Sequence, residues 1–365
     1  MKTFRICWVA AALALSTGVT LFAQLPLVRT PPDQLSPAQL RLKAKADNAP
    51  DIPYEAVPNF FKMPPNMYMG EGIGVAENSK GHIFIQTCTE RTRVFEFDPN
   101  GNYVREIGKD LYGNVYCHGL RVDSQDNIWV VDEGSDTIIK FNPEGRVTMI
   151  LGRRPEFPLN GIEPSVRAAD PAPPYIFNRQ TDVAIDAAGN IFVAEGYVNS
   201  RVIKYDKNGR FIKQVGHRGS GPGPEFNLVH AVVVDAKGNV YVGSRSDQRI
   251  VVFDNDLNYK TEFNNVGSPW GLCITLGPHQ YLYASNANPD SQQSPIHEVT
   301  GQIYKMELDG TVLGKFGVPG KLPGQFGTAH TIDCRNENVI FDGEIVTWRA
   351  QKLILHPTAS QGSTK

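Results

Sequence analysis

Three of the eight histidines recur at one position of an internal repeat, and imidazole nitrogens are common zinc ligands. They are His118, His230 and His330, in the second, fourth and sixth copies. The same slot of the other copies holds Gly72, Thr181 and Trp270. If six copies close into a ring, imidazoles from alternate copies converge on its axis from three sides. Catalytic zinc sites have this open three-ligand arrangement, so the spacing predicts a metal site, with zinc as the expected ion.

Polar side chains accompany the histidines in the turn after the second strand of each copy. These residues are Arg91 and Arg93 in the first copy, Glu133 and Asp136 in the second, Tyr197 and Asn199 in the third, and Arg245 in the fourth. A tyrosine beside a metal can act as an acid or a base. We predict catalytic roles for Tyr197, Arg91 and Arg93. The alternative is that Tyr197 packs on its own turn and the charges form a solvated rim.

The other five histidines lie in turns or loops, which is typical of surface residues. They are His82, His217, His279, His297 and His356.

The internal repeat that positions these residues occurs six times in the sequence. Residues 180–216 read "QTDVAIDAAGNIFVAEGYVNSRVIKYDKNGRFIKQVG", and similar copies begin near residues 72, 119, 230, 270 and 330. Each copy holds short alternating runs separated by turns such as "AGN" and "KNG", which is the pattern of consecutive antiparallel strands. Four strands per copy and six copies predict an all-β fold, a six-bladed β-propeller.

The sixth copy lacks a fourth strand, which the segment "YEAVPNFF" at 54–61 is expected to supply from the N-terminal side. Such pairing would close the ring and remove an exposed sheet edge. Two insertions, at 153–177 and about 286–300, are read as surface loops, and only "LSPAQLRLKAKA" favours a helix. The predicted organisation is a signal peptide at 1–23, an N-terminal extension at 24–50, the propeller at 51–357 and a polar tail at 358–365.

The leader and the overall charge restrict location and partners. Lys2 and Arg5 precede an apolar stretch and small residues up to Ala23, a secretory pattern that predicts a secreted or periplasmic protein. An uncleaved anchoring helix is the alternative. No other segment is apolar enough to span a membrane in the mature chain. The net charge of −2 and the absence of basic runs argue against nucleic acid. A monomer acting on a small molecule or peptide at the channel mouth is expected.

Four cysteines remain once Cys7 of the leader is set aside: Cys88, Cys117, Cys273 and Cys334. Export permits disulfides, and four cysteines allow three full pairings. Isolated buried thiols are the default expectation.

The copies resemble NHL repeats, and residues 72–354 are similar to the propeller of peptidyl-α-hydroxyglycine α-amidating lyase. The segments that carry the likeness are "YCHGLRVDSQDNIWVVDEGSDTIIKF", "TDVAIDAAGNIFVAEGYVNSRVIKYDKNGRFIKQVG" and "FNLVHAVVVDAKGNVYV". The resemblance implies that His118, His230 and His330 hold zinc and that Tyr197, in the family's "GYxNSR" turn, takes part in proton transfer. The implied reaction splits the N–Cα bond of a peptidyl-α-hydroxyglycine into a peptide amide and glyoxylate.

The sequence departs from that family in four places. The family's first-blade "HRG"-like arginine turn is "QTCTERTR" here, so Arg91 or Arg93 would have to replace it. Thr331 follows the last histidine where the family has a calcium-binding aspartate, which argues against calcium, although the Leu120 carbonyl would remain for a weaker site. Val198 replaces a family cysteine, so that disulfide cannot form. No copper monooxygenase domain is present in the sequence.

Two other functions compete with a zinc-dependent lyase. A non-catalytic propeller could bind a peptide, glycan or protein on its rim, which the altered arginine turn and the two insertions favour. A calcium-dependent lactonase would need Glu, Asn and Asp on the axis, where this chain offers His, Thr and Trp.

Overall fold

The computed structural model describes residues 36–88, 92–111, 114–153, 171–287 and 299–356. Several predictions concern residues outside these ranges: the leader at 1–23, Arg91, His297, most of both insertions and the tail at 358–365.

The described chain contains one short helix followed by short strands throughout. The helix α1 spans Pro37–Leu42, inside the segment for which the sequence favours a helix. The strands are β1 Tyr54–Ala56, β2 Gly72–Glu77, β3 Ile83–Cys88, β4 Thr92–Phe97, β5 Tyr103–Ile107, β6 Cys117–Val122, β7 Ile128–Asp132, β8 Thr137–Phe141, β9 Val147–Gly152, β10 Asp182–Ile185, β11 Ile191–Glu195, β12 Arg201–Tyr205, β13 Phe211–Val215, β14 His217–Arg218, β15 Glu225–Phe226, β16 Val229–Val234, β17 Val240–Ser244, β18 Arg249–Phe253, β19 Tyr259–Phe263, β20 Pro269–Ile274, β21 Tyr281–Asn286, β22 Gln302–Glu307, β23 Val312–Phe316, β24 Val318–Pro319, β25 Gln325–Phe326, β26 Ala329–Asn336, β27 Val339–Glu344 and β28 Arg349–Leu355.

These strands form six four-stranded antiparallel blades, which confirms the predicted propeller. The first five blades are β2–β5, β6–β9, β10–β13, β16–β19 and β20–β23, each in sequence order. Two short parallel pairs, β14 with β15 and β24 with β25, precede the fourth and sixth blades. The first strand of every blade is the innermost one and lines the central channel.

The sixth blade is completed from the N-terminal side, as predicted. Its order is β1-β28-β27-β26, and Tyr54 lies opposite Leu355. The Tyr54 hydroxyl also donates to the carbonyl of Gly324 at 2.5 Å. The strand ends at Ala56, so only the beginning of the predicted segment 54–61 pairs in the sheet. The closing strand β1 therefore pairs the edge that β28 would otherwise expose.

Each blade buries both of its faces, because alternate residues of a strand point to opposite sides. In the third blade Phe192 packs toward the fourth blade, whereas its neighbour Val193 packs toward the second. Turn aspartates set the hairpins: the Asp186 carboxylate accepts hydrogen bonds from the main-chain N–H groups of Ala188 and Asn190. This local bonding is why "DAAGN" makes a tight turn.

The four cysteines form two disulfides, so the default expectation of isolated thiols is wrong. Cys88 of the first blade joins Cys117 of the second, with Cα atoms 5.8 Å apart. Cys273 of the fifth blade joins Cys334 of the sixth, at 5.9 Å. Each bridge links neighbouring blades, and sequence spacing could not reveal this because the ring brings together residues far apart along the chain. Within the described ranges, no helix is long and apolar enough to cross a membrane.

Candidate metal centre

The three predicted histidines lie in β-bulges of innermost strands. In β6 the pairing register skips His118, since Cys117 and Gly119 pair with neighbouring residues of β7. The register skips His230 in β16 and His330 in β26 in the same way. A bulge re-aims a side chain that the regular pleat would direct elsewhere.

A main-chain carbonyl of the next blade fixes each imidazole. The Nδ1 atoms lie close to carbonyl oxygens as follows: His118 with Thr181 (2.6 Å), His230 with Trp270 (2.7 Å) and His330 with Ile73 (2.8 Å). A carbonyl can only accept a hydrogen bond, so Nδ1 must be the protonated nitrogen. This leaves the lone pair on Nε2, and outer hydrogen bonds of this kind orient metal-ligating histidines.

These carbonyls also correct the predicted slot of the first blade. Ile73, not Gly72, supplies the carbonyl and is skipped by the pairing register of β2. In the sequence the acidic residue Glu77 resembles the aspartate that follows the first strand of other copies, but the hairpin turn begins at Asn78. The side-chain oxygen of Asn78 accepts hydrogen bonds from the main-chain N–H groups of Lys80 and His82. Aspartates occupy the equivalent turn position in the next three blades, which made Glu77 the misleading match.

The three rings meet at the channel axis. The ring centroids of His118, His230 and His330 are 4.8–4.9 Å apart, and one potential ligand nitrogen from each lies within 4.8 Å of the others. All three residues are buried. The prediction that they converge is therefore confirmed.

The electrostatics of this cluster suit a metal. Burial, reinforced by His330, lowers the pKa of His118 well below its usual value, and burial with Arg245 does the same to the pKa of His230. Burial thus favours the neutral form of the His118 and His230 rings, which is the form that ligates metals. The Nε2 atom of His230 is buried without a hydrogen-bond partner within the described part of the chain. Three buried imidazoles, one of them with an unsatisfied buried nitrogen, fit a zinc ion.

Tyr197 lies against this cluster. Its hydroxyl is 3.1 Å from Nε2 of His118, and the two rings meet edge to face at 5.3 Å. The turn that carries it passes close to the fourth blade, because a Cβ at Gly196 would lie 1.7 Å from the carbonyl oxygen of Val229. Asn199 braces the turn by donating to the buried Glu195 carboxylate at 2.6 Å.

Two guanidinium groups flank the Tyr197 ring. The Cζ atom of Arg179 is 4.7 Å from its centroid, and that of Arg245 is 5.8 Å away. The Cζ atom of Arg245 also lies 4.0 Å from the ring centroid of Trp270, and its Nη1 atom is buried without a hydrogen-bond partner in the described residues. Sequence reasoning had noted Arg245 but missed Arg179. The available signal was its position two residues before the Thr181 slot, where the second blade has Tyr116.

Arg93 is placed elsewhere. It lies on the third strand of the first blade and pairs with Glu106 of the outermost strand at 2.6 Å, while its guanidinium stacks on Phe95. The structure records no contact between Arg93 and the histidine cluster in the described residues. Of the second-blade acids, Glu133 pairs with the guanidinium of Arg179 through one oxygen, and its other oxygen lies 3.8 Å from Nε2 of His118. Asp136 accepts the main-chain N–H of Arg179 at 3.0 Å.

The side chain of Arg121 crosses the channel next to the histidine cluster and joins three blades. Arg121 of the second blade binds Asp182 of the third through Nε (3.0 Å) and Nη2 (2.6 Å), and Nη2 also donates to the carbonyl of Leu272 in the fifth. Thr331, where the resembled family has its aspartate, donates to the Ile73 carbonyl. On its far side Arg121 lines a cavity of about 150 Å³.

These features define a six-bladed β-propeller with a buried three-histidine cluster at one end of its channel. Residues 182–317 match a protein-family model, DUF5128, described as a 6-bladed beta-propeller. The chain is 29% identical over 287 residues to rat peptidylglycine alpha-amidating monooxygenase, covering 76% of this chain and 27% of that protein. The chain thus spans about a quarter of the length of this relative.

A shorter relative matches over most of its length. The chain is 28% identical to a probable peptidyl-alpha-hydroxyglycine alpha-amidating lyase of Caenorhabditis elegans, covering 67% of this chain and 74% of that protein. Mouse NHL repeat-containing protein 3 is 28% identical to this chain, over 45% of this chain and 46% of the length of the mouse protein. Among solved structures, virginiamycin B lyase of Staphylococcus aureus superposes with a TM-score of 0.54 at 12% identity, covering 84% of this chain and all of that one. This last likeness concerns the fold alone.

Proposed function

We propose that this protein is an exported zinc-dependent lyase that cleaves the N–Cα bond of a peptidyl-α-hydroxyglycine. The observation that carries the proposal is the Tyr197 hydroxyl, which lies 3.1 Å from Nε2 of His118 inside a buried three-histidine cluster. The names of the amidating relatives support this reaction class. The two disulfides and the secretory leader pattern support export to the periplasm or the medium.

His118, His230 and His330 would hold the ion through Nε2. When bound, zinc supplies a Lewis acid that polarises an oxygen of the substrate. Tyr197, as the phenolate, would take the proton of the α-hydroxyl group as that oxygen becomes the aldehyde carbonyl of glyoxylate. The electron pair of the broken N–Cα bond stays on the amide nitrogen, which receives a proton from Tyr197. Arg245, beside the ring, would stabilise the negative charge that develops on the phenol oxygen.

The test begins with metal content. The chain from residue 24, without a histidine tag, should contain about one zinc per molecule by mass spectrometry. Replacing His118, His230 and His330 by alanine together should remove it. His279→Ala is the matched control, because this surface histidine pairs with Glu307, and that variant should keep the metal.

Turnover of a peptidyl-α-hydroxyglycine to the amide and glyoxylate is the second measurement. Tyr197→Phe should retain zinc but lose about 10²- to 10⁴-fold in kcat, the usual contribution of a general acid or base. Full activity of Tyr197→Phe would contradict the role of the tyrosine. A folded wild-type protein without metal would contradict the proposal as a whole.

A non-catalytic binding role is the second candidate. Exposed apolar side chains on the histidine-bearing face favour it, among them Tyr116, Val198 and Trp348. Metal binding without turnover of any α-hydroxyglycine peptide would support this alternative.

A further inference from the structure

Arg179 is held in an unusual conformation at the mouth of the histidine cluster. Its backbone has φ of 62°, in the left-handed region that non-glycine residues seldom adopt. Asp136 accepts its N–H, and the buried side chain of the next residue, Gln180, donates to the carbonyls of Asp132 and Thr137. Strained backbone fixed by its surroundings in this way is concentrated at functional sites.

The guanidinium of Arg179 is bound on one side by Glu133 and exposed to solvent on the other. Its Nε and Nη2 atoms bind one oxygen of Glu133, and its plane covers the Tyr197 ring at 4.7 Å. The side chain nevertheless remains 53% exposed. Burial works against its charge, but Glu133 outweighs burial and raises the pKa of Arg179, so the group stays cationic. A fixed cation with an open edge therefore lies next to the proposed proton-transfer residue.

We infer that Arg179 binds the substrate's carboxylate and makes the site selective for α-hydroxy acids. The inference deepens the proposed function and rests on it. In an α-hydroxyglycine the hydroxyl and the carboxylate are attached to the same carbon, so the groups that bind them must lie side by side. Tyr197 and Arg179 have this relation, and arginine is the side chain best suited to a carboxylate.

The neighbouring arginines are less suited to this role. Arg245 lies against Trp270 with a buried edge, beside the histidines. Arg218 donates to the main-chain carbonyl of Tyr197 at 3.1 Å. Arg179 is the cation among these three that combines an exposed edge with a position over the face of the Tyr197 ring.

The experiment compares two small ligands of similar size, one with a carboxylate and one with an uncharged carboxamide. Glycolate and glycolamide share the α-hydroxyl group, and only glycolate carries a carboxylate. Calorimetry on the zinc-loaded protein should show glycolate binding at least about tenfold more tightly, as expected for a charge-assisted contact. Arg179→Gln should reduce this preference to about threefold or less while zinc content is unchanged. Arg218→Gln, which removes the same charge from the rim, should keep the preference.

Two results would overturn the inference. One is an unchanged preference in Arg179→Gln. The other is a wild-type protein that binds the two compounds equally, or binds neither. Failure of the proposed function is distinguishable, since it would appear as absent turnover by a protein whose glycolate preference still depends on Arg179.

Discussion

Replacing Asp342 by valine is expected to stabilise the protein, and more strongly at pH 8 than at pH 5. Asp342 lies on the second strand of the sixth blade, opposite Ile332, which is two residues after the histidine slot. The equivalent position of the other five blades holds a fully buried apolar residue in every case: Ile85, Val130, Val193, Val242 and Ala284. The sixth blade thus has a carboxyl group at the position where the other five blades bury an apolar side chain.

The surroundings of this carboxyl group disfavour its charged form. Both of its oxygens are buried without a hydrogen-bond partner in the described residues. Burial, followed by repulsion from Glu344, raises the pKa of Asp342 well above its usual value, although Arg349 opposes the shift. The unfolded chain releases this proton near pH 4, whereas the folded protein retains it. Between these two pKa values the folded state binds more protons, so the free energy of unfolding falls as the pH rises.

The size of the effect follows from two contributions. Removing an unsatisfied buried polar group recovers about 1–3 kcal/mol, and a buried valine side chain contributes about 1.5 kcal/mol. The sum is about 2.5–4.5 kcal/mol. With an unfolding entropy of about 2.1 cal/mol/K per residue, a domain of this size should gain roughly 4–6 °C in Tm.

Scanning calorimetry at pH 5 and pH 8 would measure this. Asp342→Asn is the matched control: it should lose the pH dependence that the carboxyl group causes, but it should gain less than valine because its amide remains unsatisfied. A valine variant no more stable than wild type at pH 8 would refute the reasoning, as would a gain of equal size at both pH values.

The remaining predictions concern the channel and the ring closure. Arg121→Met should cost about 3–5 kcal/mol of unfolding free energy, because it leaves Asp182 buried without its ion pair. An Arg121→Met protein as stable as wild type in chemical unfolding would contradict this role of the arginine. Deleting residues 50–62 should abolish cooperative unfolding, because it removes β1 from the sixth blade. A truncated protein that melts like the full chain would contradict the closure.

The proposed active site shows how far sequence reasoning reached. The repeat made His118, His230 and His330 equivalent, and the fold then required them to meet, because equivalent positions of innermost strands form a ring. The position of Tyr197 could also be predicted, because the turn after the second strand of each blade lies on the same face of the propeller as the histidines. The position of Arg179 could not be predicted. It depends on a left-handed backbone conformation and on the carboxylate of Glu133 in another blade, and the local sequence indicates neither.

The sequence by itself determined the number of blades, their strand order and the closing strand, because alternation, turn residues and a sixfold repeat are local signals. It also determined which histidines share a slot. Only the tertiary structure decided the pairing of cysteines, the ion pair that removes Arg93 from the site, and the crossing of the channel by Arg121. It alone showed that Asp342 interrupts an otherwise apolar position. These features depend on contacts between blades, and side chains that meet there are separated by tens or hundreds of residues along the chain.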